Sequence, residues 1–295
     1  MGLLDDIKKA AAGNKTKIQT SEAAELEKIL NKMFYLPKNP KEEVKFVEQV
    51  ITRGLESQER VGLHASSFVK SENDFCIRAQ VLSLIYKQLQ GEQIAVNLKR
   101  IFEEGNAIHE KWQRLFIRAG YGKAEDMDLT QYDEEYMISY TPDIICKIPE
   151  FFKGKMIGEI KSVNTFQFKK MVEHNGKHAS AWKQLQWYMH LNIKREKDAG
   201  TWNGIDYTKG FVLCDDKNNQ DFRIEVYKYD PSLVASQIEK AEAVTFYHER
   251  VFSERRMVAR PDGCNSPTCK RCSTCVMREA CWNIGKGKQR IEEDW

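Results

Sequence analysis

The chain has 295 residues, of which 41% are hydrophobic and 30% charged, and 46 Lys and Arg against 43 Asp and Glu give a net charge of +3. This length and composition predict a globular protein with one sizeable core and an appendage, or with two small domains. The small charge excess means that any nucleic-acid-binding surface must be local. Eight cysteines exclude a disulfide-dense scaffold. Since we find neither a signal peptide nor an apolar run long enough for a bilayer, we expect a cytoplasmic, intracellular protein whose thiols stay free to bind metal.

The N-terminal residues 1–60 differ from the rest of the chain in their sequence pattern, which is mainly helical. Helical patterns cover Glu22–Met33 and Glu42–Leu55, and two prolines in the segment Leu36–Pro40 predict a loop between them. We expect a helical appendage that covers the core or contacts a partner, with a flexible segment over the first fifteen residues.

Two further helical patterns carry candidate ligands. One begins at Cys76. The other runs past His109 to Trp112 and Phe116, with His109 directed towards the interior. Imidazole can supply a nitrogen ligand to a manganese-type site, although a single histidine is more often structural.

Two carboxylates and a lysine form the most informative pattern. Asp143 follows a proline and precedes a short apolar strand, and after fifteen intervening residues Glu159-Ile160-Lys161 lies in a second strand. Strand alternation places Glu159 and Lys161 side by side, and a hairpin would bring Asp143 next to them. Carboxylate oxygens suit Mg²⁺ or Mn²⁺, and the lysine could orient water or stabilise developing charge. The alternative is a surface hairpin with an ion pair.

The segment Phe166–His178 interleaves basic and aromatic residues. Lysines could bind phosphates and rings could stack on bases of a single strand, whereas the alternative is a solvated loop.

The next segment, Ser180–Leu191, reads as an amphipathic helix with Ser180 as a candidate N-cap. Gln184 and Tyr188 lie four residues apart on one face, from which they could contact groups around the metal or a DNA phosphate. A polar pair beside core aromatics is the alternative.

The C-terminal third completes the predicted sheet. Gly210–Cys214 and Phe222–Tyr227 flank a polar turn and predict a hairpin, and Pro231–Arg256 reads as a long helix. We expect residues 283–295 to form a flexible tail.

The cysteines concentrate near the C-terminus. Five of them are Cys264, Cys269, Cys272, Cys275 and Cys281. The last three have spacings that can converge on one metal centre, with a fourth ligand from elsewhere. By contrast, the remaining pair in strand patterns, Cys146 and Cys214, is better explained as small buried hydrophobes.

In order and spacing, these motifs resemble the RecB-type branch of the PD-(D/E)xK nucleases. The resemblance covers about residues 64–282. The matching residues are His109, Pro142-Asp143, Glu159-Ile160-Lys161 and the QxxxY pair Gln184 and Tyr188. It implies an α/β, restriction-endonuclease-like core, that is, a central mixed sheet flanked by helices.

The resemblance also implies roles. His109, Asp143 and Glu159 would bind Mg²⁺ or Mn²⁺ together with the carbonyl of Ile160, and Lys161 would be catalytic. The QxxxY pair would position the substrate.

Four of the cysteines resemble the pattern of the iron–sulfur members of this branch, which include the AddB nuclease domain and CRISPR-associated exonucleases of the Cas-four type. One cysteine before the nuclease core and a CxxCx₅C group after it hold a [4Fe–4S] cluster there. The matching residues are Cys76, Cys272, Cys275 and Cys281. Cys264 and Cys269 are surplus, so a Cys₄ site for Zn²⁺ or a cluster that uses one of these two remains open.

We therefore predict a metal-dependent deoxyribonuclease, an exonuclease on DNA ends or single strands in recombination, repair, replication or phage DNA metabolism. DNA and a helicase or recombination partner are the expected partners, and a bacterial host, including a phage-infected one, is the expected setting. We expect an appendage (residues 1–60), a nuclease core closed by the cysteine-bound cluster (residues 61–282) and a tail (residues 283–295). The alternatives are a catalytically silent DNA-binding or assembly subunit and a zinc-bound adaptor.

Overall fold

The computed structural model describes residues 21–36, 40–55, 62–71, 74–86, 96–174, 176–178, 180–254, 257–273 and 275–283. The chain divides into two compact units. The first comprises Met1–Ser57, Lys99–Leu129 and Thr141–Pro231, and the second comprises Gln58–Leu98, Thr130–Tyr140 and Ser232–Trp295. The predicted boundaries at residues 60 and 282 stay predictions, and both the N-terminal residues 1–20 and the tail from residue 284 lie outside the described part of the chain.

The described part of the chain contains helices and strands in short runs of each. The helices are α1 (residues 21–33), α2 (Pro40–Leu55), α3 (Ile77–Ile85), α4 (Val96–Arg118), α5 (Thr165–Glu173), α6 (Ala181–Asp198), α7 (Ala235–Glu254) and α8 (Arg278–Asn283). The strands are β1 (Leu63–His64), β2 (Gln131–Asp133), β3 (Ile138–Tyr140), β4 (Ile144–Cys146), β5 (Met156–Val163), β6 (Lys209–Asp216) and β7 (Phe222–Lys228).

A four-stranded mixed sheet forms the centre of the first unit. Its order is β4-β5-β6-β7, in which β5 and β6 run parallel and the outer pairs are antiparallel. The two hairpins expected from the sequence, β4 with β5 and β6 with β7, are therefore confirmed. Cys146 and Cys214 are buried in strands, as expected of small hydrophobes.

Helices cover both faces of this sheet. On one face, Ile160 and Leu213 belong to the same hydrophobic cluster as Trp112 and Phe116 of α4. On the other face, a Cβ added to Gly210 of β6 would lie 3.0 Å from Leu185 of α6. The expected α/β fold, a central mixed sheet with flanking helices, is confirmed.

The predicted N-terminal helices are also present. Leu26, Leu30 and Met33 of α1 and Phe46 of α2 are fully buried and belong to the cluster around α4. These helices are thus part of the first unit's core.

Two details of the α5–α6 region differ from expectation. The alternative of a solvated loop after β5 is wrong for residues 165–173, which form α5, because the Asn164 side chain accepts a hydrogen bond from the backbone N–H of Gln167 at 2.8 Å and caps the helix. Ser180 does occupy the N-cap of α6, but its side chain makes no capping hydrogen bond.

The second unit combines a small sheet with helices. Its strands lie in the order β1-β3-β2, and α3 packs against α7 and α8. Cys76 is the N-cap of α3, where the sequence predicted a helix to begin. The long predicted helix is α7, which is preceded by a short 3₁₀ turn at Pro231–Leu233. No helix among the described residues has the length and apolar character needed to cross a membrane.

Candidate metal centre

The expected carboxylates, histidine and lysine converge in the first unit. His109 lies on α4, Asp143 immediately before β4, and Glu159 and Lys161 on the same face of β5. The Nδ1 atom of His109 is 3.4 Å from Oδ1 of Asp143. The ammonium of Lys161 is 2.5 Å from Oε1 of Glu159.

Asp143 is held by two groups that fix its backbone and its side chain. The backbone N–H of Ile160 donates to Oδ2 at 2.7 Å, which ties Asp143 to the neighbouring strand. The side-chain amide of Gln113 donates to the Asp143 carbonyl at 2.8 Å, and Gln113 is fully buried. Sequence reasoning missed Gln113, although its position four residues after His109 places both side chains on one face of α4.

Burial strongly perturbs the carboxyl group of Glu159. This side chain is fully buried. Burial, reinforced by the negative charge of Asp143, raises the pKa of Glu159 to about 7 although Lys161 opposes the shift. Its Oε2 atom has no hydrogen-bond partner among the described residues. A buried carboxylate oxygen without a partner costs free energy, and a cation would remove that cost.

Neighbouring charges determine the direction of the pKa shift in the other three groups, Asp143, His109 and Lys161. Burial alone would raise the pKa of Asp143, but His109 and Lys161 outweigh it and hold that pKa below its usual value. Burial opposes the charge on His109, yet Asp143 raises the pKa of the imidazole. Burial likewise opposes the charge on Lys161, and the two carboxylates raise its pKa, so Lys161 stays an ammonium at neutral pH.

This donor set fits a divalent cation of the Mg²⁺ or Mn²⁺ type. In an octahedral site with bonds of about 2.1 Å, adjacent donor atoms lie about 3 Å apart, close to the 3.4 Å between the His109 nitrogen and the Asp143 oxygen. The unpaired Oε2 of Glu159 supplies a further oxygen donor. The expected use of the Ile160 carbonyl as a ligand stays a prediction.

Gln184 and Tyr188 of α6 lie next to these carboxylates. The amide of Gln184 donates to the Tyr188 hydroxyl at 2.9 Å. The backbone N–H of Thr141, which lies two residues before Asp143 in the chain, also donates to this hydroxyl. Burial raises the pKa of Tyr188, so its side chain stays a neutral phenol. Tyr188 is only 1% exposed, and the roles predicted for this pair, contact with groups around a metal or with a DNA phosphate, stay predictions.

The cysteines assemble in the second unit. A cavity of 160 Å³ is lined by Cys76, Cys264, Cys272, Cys275 and Cys281. The buried Arg78 of α3, which sequence reasoning did not identify, donates from Nε to the sulfur of Cys281 at 3.1 Å.

That Cys76, Cys272, Cys275 and Cys281 hold a [4Fe–4S] cluster stays a prediction. All four line the cavity. However, the sulfur of Cys272 belongs to a compact triangle with those of Cys264 and Cys269, in which all three atoms lie within 4.8 Å of one another. In the cluster each thiolate binds a different iron, so its sulfurs surround an inorganic core instead of meeting at one point.

The solved structures that match part of this chain include an alkaline exonuclease. The alkaline exonuclease LHK-Exo from Laribacter hongkongensis is 15% identical, with a TM-score of 0.42, over 66% of this chain and 91% of that chain; the same enzyme in complex with dAMP gives a TM-score of 0.45 at the same identity and coverage. SSO0001 is 12% identical, with a TM-score of 0.39, over 81% of this chain and 95% of that chain. No family model and no curated protein matches the sequence.

Proposed function

We propose that this protein is a DNA nuclease that hydrolyses phosphodiester bonds with Mg²⁺ or Mn²⁺. The observation that carries the proposal is the environment of Glu159: a fully buried carboxylate with Lys161 on one oxygen, no partner on the other oxygen among the described residues, and Asp143 beside it. Two neighbouring buried carboxylates repel each other, and a shared divalent cation relieves both the repulsion and the desolvation cost.

Each residue then has a defined task. His109, Asp143 and Glu159 would hold the cation, which when bound polarises the scissile phosphate and acidifies a water molecule. The ammonium of Lys161 donates hydrogen bonds to the attacking water or to the oxygen on which negative charge develops. Gln184 and Tyr188 fix the chain that leads into Asp143.

We propose DNA ends or single strands as the substrate, in exonucleolytic cleavage during recombination, repair, replication or phage DNA metabolism, with a helicase or recombination protein as a partner. Helix α5 follows directly after the strand that carries Glu159. It exposes Lys169, Lys170 and Phe166, of which Phe166 is 77% exposed. Ammonium groups suit phosphates and an exposed ring suits base stacking, a combination typical of single-strand binding.

The test is cleavage of end-labelled single-stranded and duplex DNA by the full chain with Mn²⁺, with Mg²⁺ and with excess chelator. We expect cleavage only with a divalent cation, and loss of cleavage in Asp143→Ala. Glu173→Ala, which removes an exposed carboxylate from α5, is the matched control and should cleave like the wild type.

Two results would overturn the proposal. One is cleavage that Asp143→Ala retains, since the activity would then lie elsewhere or in a contaminant. The other is DNA binding without cleavage under every metal condition, which would instead favour the catalytically silent DNA-binding subunit.

A further inference from the structure

We propose that Cys264, Cys269 and Cys272 form a mononuclear Zn²⁺ site in the second unit. This proposal stands apart from the nuclease proposal, which rests on residues of the first unit alone. It also gives a role to the two cysteines that exceed the four-cysteine iron–sulfur pattern.

The separation of the sulfur atoms fits one metal ion. Zinc bound to thiolates at about 2.3 Å in a tetrahedron places its sulfur ligands about 3.8 Å apart. The three sulfur atoms of Cys264, Cys269 and Cys272 all lie within 4.8 Å of one another, about 1 Å from that geometry. The three thiols are close enough to interact with one another as hydrogen-bonding partners. Such a triangle has room for one ion at its centre and leaves a fourth ligand position for solvent.

The backbone around Cys269 is arranged for a thiolate. The N–H of Cys272 donates to the Cys269 carbonyl at 2.9 Å, and the backbone N–H of Arg271 is directed at the Cys269 sulfur. The N–H of Ser273 donates to the Cys269 carbonyl at 2.9 Å, which closes a tight turn between two of the ligands. Backbone N–H groups directed at sulfur stabilise its negative charge and orient it, as outer contacts do around zinc ligands.

The electrostatic balance also favours a divalent ion. Three thiolates and one Zn²⁺ carry a net charge of −1. The positively charged guanidinium of Arg271 lies close enough to Cys264 to offset part of that charge. Without the metal, three adjacent thiolates would repel one another strongly, so the ionised triangle requires a cation.

The triangle competes with the iron–sulfur ligand set for Cys272. Cys272 lines the cavity together with Cys76, Cys275 and Cys281, and its thiolate can be a ligand of only one of the two proposed centres. The zinc site requires Cys264 and Cys269, whereas the four-cysteine cluster uses neither residue. A metal content that depends on these two cysteines therefore distinguishes the two assignments.

The experiment measures Zn²⁺ in the purified full chain and its affinity by competition with a chromophoric chelator. We expect one Zn²⁺ per chain that requires Cys264 and Cys269. Cys264→Ser and Cys269→Ser should each weaken Zn²⁺ binding by more than the roughly 10–100-fold that changes around a ligand produce. Cys76→Ser and Cys281→Ser are the matched controls in the same unit and should keep the wild-type affinity.

A ligand exchange separates metal binding from a folding defect. Cys269→His replaces one thiolate by an imidazole, which is also a zinc ligand, and should bind Zn²⁺ again. With Co²⁺ as the probe, this variant should keep tetrahedral absorption bands but lose part of the sulfur-to-metal charge-transfer intensity. Wild-type Zn²⁺ affinity in both serine variants would overturn the proposal. So would iron and sulfide in anaerobically purified protein that depend on Cys272 but not on Cys264 or Cys269.

Discussion

At the scale of single residues, the proposed metal centre depends on groups that are not themselves proposed as metal ligands. Gln113 is the clearest case, because its buried amide holds the carbonyl of Asp143 at 2.8 Å. That hydrogen bond fixes the backbone from which the Asp143 carboxylate reaches the site, while Ile160 fixes the carboxylate itself.

We predict that Gln113→Leu weakens Mn²⁺ binding by about 10–100-fold, as changes around metal ligands generally do. The leucine keeps the volume and helix propensity of the glutamine but leaves the Asp143 carbonyl without this donor. Titration calorimetry with Mn²⁺ measures the effect. Arg114→Gln, at the exposed next position of α4, should bind Mn²⁺ like the wild type, and equal affinities in all three proteins would show that Gln113 has no positioning role.

At the scale of elements, the site requires α6 to lie close against the sheet. Gly210 of β6 permits this approach: an added Cβ would lie 2.8 Å from the Ile157 carbonyl oxygen and 3.1 Å from the sulfur of Met189. The carbonyl belongs to a paired strand and cannot move aside without disturbing the ladder.

Gly210→Ala should therefore destabilise the protein by about 1–3 kcal/mol, the usual cost of overpacking. Gly105→Ala is the matched control, and we expect it to stabilise the protein. Its Cβ would meet only Ser162 Oγ at 3.6 Å, and alanine is about 1 kcal/mol better than glycine inside a helix. Urea unfolding of both variants measures the difference, and a stable Gly210→Ala protein would contradict this close packing.

Strand patterns were the most predictable part of the fold. The alternation around Glu159 and the proline before Asp143 predicted both the β4–β5 hairpin and the shared face of Glu159 and Lys161, because a strand's period of two fixes which side chains are neighbours. The spacing of Gln184 and Tyr188 predicted their contact in the same way.

The periodicity of side chains along one strand or helix does not predict contacts between segments that are distant in the sequence. The hydrogen bond from Gln113 to Asp143 spans thirty residues, and that from Arg78 to Cys281 spans 203, so no local pattern contains either. The spacing of six cysteines permits several ligand sets, and only the folded chain shows that Cys272 lies with Cys264 and Cys269. The cap of α5 was recognisable, because Asn164 precedes Gln167 by three residues in the manner of a capping box.

At the scale of the whole molecule, each unit is built from segments that are distant in sequence. The N-terminal helices illustrate the consequence. Leu26, Leu30, Met33 and Phe46 are fully buried in the same cluster as the helix that carries His109. Burial of each such side chain is worth about 1.5–3 kcal/mol, and the sum approaches the total stability of about 5–15 kcal/mol that is usual for a folded protein.

We predict that deletion of residues 1–57 prevents folding of the first unit, so that the shortened chain is insoluble or lacks a cooperative unfolding transition. Deletion of residues 284–295, all but the first residue of the predicted flexible tail, is the control and should leave solubility and unfolding unchanged. Circular dichroism during thermal unfolding tests both. A shortened chain that folds and unfolds cooperatively without its N-terminal helices would show that they are a dispensable appendage.

The most direct test of the proposed nuclease is single-turnover cleavage of linear DNA at saturating Mn²⁺ by the wild type and by Lys161→Met, with Mn²⁺ binding measured on both. The methionine keeps most of the length of the lysine and removes the ammonium beside Glu159. We predict unchanged or stronger Mn²⁺ binding and a cleavage rate lower by on the order of 10²–10³-fold, as for the loss of one group that stabilises developing charge. Cleavage by Lys161→Met at the wild-type rate, or no cleavage by the wild type, would contradict the account.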